Sequence, residues 1–143
     1  MLRLSSPLGL SLFGKKKTLS FASAEVGHVD ASTVVVTFTR AVKATNAKTG
    51  VTIKVNGAGV TVNTGTIQAN KCLVYYALAA PVSAGNAVTW EYNAATGNIL
   101  DNVTSVALPT TTARTVTNNL GSGVLFPAGT AMGVLGLTYS GDF

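Results

Sequence analysis

The sequence predicts an all-β sandwich, and three observations carry that expectation. Short runs of β-branched and aromatic residues alternate between two faces, and turn residues punctuate them at intervals of roughly ten to eighteen residues. No stretch reads as a long amphipathic helix. At 143 residues, the chain is long enough to bury a real core in one domain.

The expected strands follow in order. Residues 33–39 place Val34, Val36 and Phe38 on one face and Val35, Thr37 and Thr39 on the other. Next, Val51, Ile53 and Val55 point inward while Thr52 and Lys54 point out. Asn56-Gly57 follows, a strong hairpin signal because both residues accept positive φ, so residues 60–62 are expected to return as the partner strand. Residues 72–78 are apolar on both faces, as a central strand would be. Pro81, Ser83, Gly85 and Asn86 then break the chain. In the following run Val88, Trp90 and Tyr92 share the inward face, and Thr89 and Glu91 face out. A turn at Thr96-Gly97-Asn98 precedes a last β-prone stretch, 110–117. Trp90 and Tyr92 are assigned to the core.

Composition favours a protein whose surface meets other proteins. Charged residues make up 10% of the chain, against about a quarter in an ordinary soluble domain. Mean hydropathy is +0.39. The net charge of +5 invites a nucleic-acid reading, but the cations are scattered among Glu25, Asp30, Glu91 and Asp101, and only Lys15-Lys16-Lys17 forms a cluster. Nucleic acid is therefore not an expected partner.

The two ends differ from the middle. Residues 1–18 form an N-terminal arm, 19–119 the sandwich and 120–143 a C-terminal arm. In the first arm Leu2, Leu4, Leu8, Leu10, Leu12 and Phe13 recur near every second residue. In the last, Val124, Leu125, Phe126, Leu135, Leu137 and Tyr139 supply the apolar side chains. Extended segments of this kind add strands to a neighbour's sheet edge, with alternate side chains filling pockets, so these twelve residues are the expected interface. The competing arrangement folds the arms back on their own sandwich. A membrane span is disfavoured: residues 120–139 are uncharged but carry five glycines and a proline. No secretory leader is evident either, because Pro7 and Gly9 interrupt the first apolar stretch and three lysines follow it.

Reactive chemistry is sparse. His28 is the lone histidine and lies in a turn, so a Ser–His–Asp triad has little to draw on. Cys72 is also alone, which excludes an intrachain disulfide and fits a small buried hydrophobe. One histidine and one cysteine cannot assemble a zinc site. Asp101 with Asn102 and loop carbonyls offers a weak calcium site, without a dense Asp/Asn loop. Lys54 or Lys71, with an asparagine and Glu91, would be needed for an intramolecular isopeptide bond. No enzyme activity and no cofactor or metal are expected.

Several segments carry a resemblance. Val36, Phe38 and Val42 match a "V-x-F-x-x-x-V" strand; Leu78, Pro81, Val82, Gly85, Val88 and Tyr92 match an "L-x-x-P-V-x-x-G-x-x-V-x-x-x-Y" segment; Val116 and Asn118 match a closing "V-x-N". Over residues 19–119 the chain resembles the bacterial and phage Ig-like repeat of the SwmB type. The resemblance implies an Ig-like β-sandwich with extended N- and C-terminal arms. Read as one module that starts at Met1, it is most similar to phage head-decoration or capsid-fibre proteins. That likeness implies a virion structural protein on the capsid surface. It would form a trimer or higher homo-oligomer and bind the major capsid protein or other virion subunits, with no membrane or nucleic acid involved. Other readings are a tail or neck component, a surface carbohydrate-binding module using Tyr75, Tyr76 and Tyr139, and an adhesin fragment.

Overall fold

Alternating apolar side chains fold into ten strands among the described residues, 17–121, of the computed structural model. They are β1 (Phe21–Val26), β2 (Thr33–Phe38), β3 (Val42–Lys43), β4 (Val51–Val55), β5 (Ala58–Val60), β6 (Val62–Ile67), β7 (Leu73–Leu78), β8 (Val88–Tyr92), β9 (Leu100–Asp101) and β10 (Thr111–Asn118). The fold is all-β. Eight strands form one sheet in the order β5-β4-β8-β10-β1-β2-β7-β6, and β3 pairs separately with β9.

The two edge strands of that sheet, β5 and β6, are consecutive in the chain and separated only by Thr61, so the sheet nearly closes on itself. Its two halves, β5-β4-β8-β10 and β1-β2-β7-β6, face each other over one core. Val34, Val36, Val74 and Tyr76 come from one half and Ile53, Val88, Trp90 and Tyr92 from the other. Trp90 is the hub: Phe21 stacks on it at 5.3 Å, Tyr92 at 6.2 Å, and Phe38 meets it edge-on at 6.0 Å. Such pairs add stabilisation beyond the area they bury. The indole N–H of Trp90 is buried without a well-formed hydrogen bond among the described residues.

Two expectations about strands need correction. Residues 60–62 do not form one return strand. Asn56, at φ 52°, and Gly57, at φ 86°, make the expected hairpin, and Ala58–Val60 returns along β4. The chain then crosses at Thr61, and Val62 begins β6, which pairs with β7. The hairpin signal is local, whereas the crossover is dictated by the need of Leu78, Tyr76 and Val74 for a partner strand. Residues 72–78 are likewise not buried on both faces. Cys72 precedes the strand and is half-buried, and only Val74, Tyr76 and Leu78 are sealed from water.

The pairing of β1 with β10 sets the geometry of the ends. They run parallel, with Glu25 opposite Thr117 and Val26 opposite Asn118. The chain therefore enters the sandwich at one end and leaves at the other. Leu19 is buried at the entry end. Leu120, placed in the C-terminal arm on sequence grounds, packs against the core near Gly27.

Candidate functional site

The entry end is organised by one ion pair. Arg40 follows β2 and Asp101 ends β9, and the Arg40 guanidinium meets the Asp101 carboxylate through Nε. Asp101 is 2% exposed and also accepts the N–H groups of Val103 at 2.8 Å and Thr104 at 2.9 Å. The guanidinium first, then these backbone donors, hold its carboxyl well below the usual carboxylate range. These bonds engage both carboxylate oxygens of Asp101, the residue weighed as a weak calcium ligand.

This arrangement pins residues 102–107 as a rigid projection. Ser105 sits at φ 61° and donates its N–H to the Asp101 carbonyl at 2.9 Å; Lys43 Nζ donates to Ser105 Oγ at 2.7 Å. Two valines stand on the projection, Val103 at 75% and Val106 at 63% exposure. Nearby, the Val42 N–H donates to the Lys71 carbonyl, and Thr39 Oγ1 donates to the Thr18 carbonyl, so Lys71 and Lys17 belong to the same end.

The exit end is acidic. Glu25 lies 2.9 Å from Nδ1 of His28 in the β1–β2 turn, both partly in water. Asp30 accepts the Ser32 N–H at 2.7 Å and the Thr33 hydroxyl at 3.2 Å, and Val29 stands exposed between them.

On the flank, residues 44–48 cover the outer edge of β6. Tyr76 Oη reaches from the core to the Ala47 carbonyl at 3.1 Å, and Lys48 Nζ donates to the carbonyls of Val62 and Asn63 at 3.3 and 2.8 Å. A groove of about 530 Å³ runs between this segment and β6, lined by Thr45, Asn46, Lys48, Asn63, Thr64 and Thr66. Its one cation is already engaged. Small hydroxyls and amides share the rest of the lining with Ala44, Ala47, Gly65 and Ile67.

Chemistry finds little footing. The described residues hold no group of three His, Cys, Asp or Glu placed to share a metal. Lys54 and Glu91 form a 2.9 Å ion pair on the outer face, partly in water, rather than a buried isopeptide triad. Lys71, the other lysine weighed for that bond, is exposed. Tyr76 is fully buried and burial pushes its phenol up, which removes it as a platform for a sugar; Tyr75 is half-buried. The twelve interface residues, Leu2, Leu4, Leu8, Leu10, Leu12, Phe13, Val124, Leu125, Phe126, Leu135, Leu137 and Tyr139, lie outside the described residues, as does the aromatic candidate Tyr139.

Sequence reasoning missed the Arg40–Asp101 lock because its members stand 61 residues apart. Half of it was nevertheless local: an Asp able to take the N–H groups two and three residues ahead is a recognised turn device.

No protein-family model and no curated protein matches the sequence. Solved structures do share the fold. Domains 1–6 of the surface layer protein SbsC superpose with a TM-score of 0.63 at 15% identity, over 81% of this chain and 16% of that one. The N-terminal part of the bacterial S-layer protein SbsC gives 0.58 at 15% identity, over 81% of this chain and 25% of that one. The likeness is one of fold, and this chain spans a quarter or less of the length of these neighbours.

Proposed function

We propose that the chain is a non-catalytic structural module of an ordered protein shell, with the flanking apolar segments as its docking straps. The observation that carries this reading is the parallel β1–β10 pairing. It places residues 17 and 121, from which the two apolar flanking segments start, at opposite ends of the sandwich. Low charge and high mean hydropathy support it, since a surface shared with other subunits needs fewer ions than one facing water.

The shell we favour is a phage capsid, with this protein as a head-decoration subunit on its surface. An arm that buries several hundred Å² stabilises its docking by several kcal/mol at about 25 cal/mol per Å², before ordering costs, and symmetry multiplies that contribution. Capsids assembled without the protein are expected to lose integrity at lower temperature or lower salt than those carrying it. Equal stability with and without it contradicts the reading.

A second reading places the module in a cell-surface array, and the fold likeness to surface layer protein SbsC favours it. Imaging labelled protein on particles and on cells separates the two.

A further inference from the structure

We infer that the two ends of the sandwich are complementary faces through which copies of this chain stack end to end, an inference that rests on the shell-forming reading above and names the surface involved. Three observations converge on it. The entry end carries Lys17, Lys43 and Lys71, none of which has a carboxylate partner among the described residues, while its Asp101 is consumed by Arg40. The exit end carries Glu25 and Asp30, whose nearest side-chain partners are His28 and Thr33. One face is thus basic and the other acidic.

Exposed apolar side chains follow the same division. Val103 and Val106 stand on the entry end and Val29 on the exit end, and these are the large hydrophobics in the described residues that water reaches most. The Asp101 and Asp30 turns hold them in fixed loops, so little order remains to be gained on contact.

The third observation is the path of the chain. Thr18 is tied to Thr39 at the entry end, and Asn119 donates its N–H to Val26 at the exit end. Stacking entry end on exit end brings residue 121 of one copy to residue 17 of the next, so the apolar flanking segments of both copies start at the same junction. A second copy is the occupant that meets all three conditions at once. Such contacts are heterologous, and they propagate as a ring or a filament rather than stopping at a two-fold dimer. Opposed charges across the junction set its polarity and exclude like-to-like pairing.

Cysteine cross-linking of the full chain tests this in a Cys72→Ser background. Val29→Cys mixed with Val106→Cys is expected to give a covalent dimer on mild oxidation. The double variant should give a ladder, and each single variant alone almost none. Sedimentation velocity supplies the second measurement: Lys17→Glu with Lys71→Glu should weaken self-association about tenfold or more, and mixing with Glu25→Lys should restore it. Circular dichroism confirms that each variant is folded. If the chain associates but only same-end cross-links form, or reversal of charge changes nothing, stacking is wrong and the shell reading survives through its arms. A chain that stays monomeric at every concentration overturns both.

Discussion

The phenol of Tyr92 bridges the corner of the sandwich to Gly97: the ring packs close against the glycine while Oη accepts the Ile99 N–H at 3.0 Å. A β-carbon at position 97 would lie 2.3 Å from Tyr92 Oη and 2.4 Å from its ring carbons, and one at Gly50, where φ is 84°, comes within 2.6 Å of Gly97 Cα. Three residues from three segments thus share one close-packed corner.

Gly97→Ala is therefore expected to cost about 1–3 kcal/mol through overpacking. Tyr92→Phe keeps the ring but strands the Ile99 N–H, a loss of about 1–3 kcal/mol for a buried donor. Trp90 is the sole tryptophan, so its fluorescence reports unfolding directly. Melting curves that coincide with wild type for Gly97→Ala would show that the corner is looser than described.

Acid should weaken the fold through Asp101. Its carboxyl titrates lower in the folded chain than in the unfolded one, because Arg40, Thr104 and Val103 favour the ionised form. The unfolded value is about 3.9, so the stabilisation is complete above that pH and is lost as pH falls toward the folded value. Asp101→Asn is expected to melt below wild type at pH 7, with the gap closing as pH drops below about 4. Glu91→Gln, which breaks a half-exposed pair, should move the melting temperature far less. A gap for Asp101→Asn that stays constant down to pH 2 contradicts this assignment.

The covered edge of β6 makes a prediction about solubility. Exposed strand edges recruit other chains, and here Lys48 caps the Val62 and Asn63 carbonyls while Tyr76 fastens Ala47 from within. Lys48→Met should cost only about 1 kcal/mol yet raise the rate of aggregation on warming. Light scattering during a thermal ramp reads it. Unchanged onset in Lys48→Met would mean that the backbone of residues 44–48 protects the edge without the lysine.

What could be read from residue order divides along physical lines. Alternation in residues 33–38 and 88–92 placed Val34, Val36, Phe38, Val88, Trp90 and Tyr92 inward correctly, because side-chain period is a local property of a strand. The Asn56-Gly57 hairpin was legible for the same reason. The crossover at Thr61 was not, because it depends on which distant strand still lacks a neighbour. The partner of the Tyr76 hydroxyl was also hidden: only the packing of residues 44–48 over β6 shows that it is spent on Ala47. At the candidate site, composition flagged stray lysines, but their gathering at one end with Glu25 and Asp30 at the other follows from strand direction, which no motif encodes.

The most direct test of the shell-module account is the mass of the purified full chain in solution by light scattering, across a range of concentration. The account expects masses at multiples of 14.5 kDa that rise with concentration and fall when residues 1–16 and 122–143 are removed. A single, concentration-independent mass of 14.5 kDa for the intact chain contradicts it.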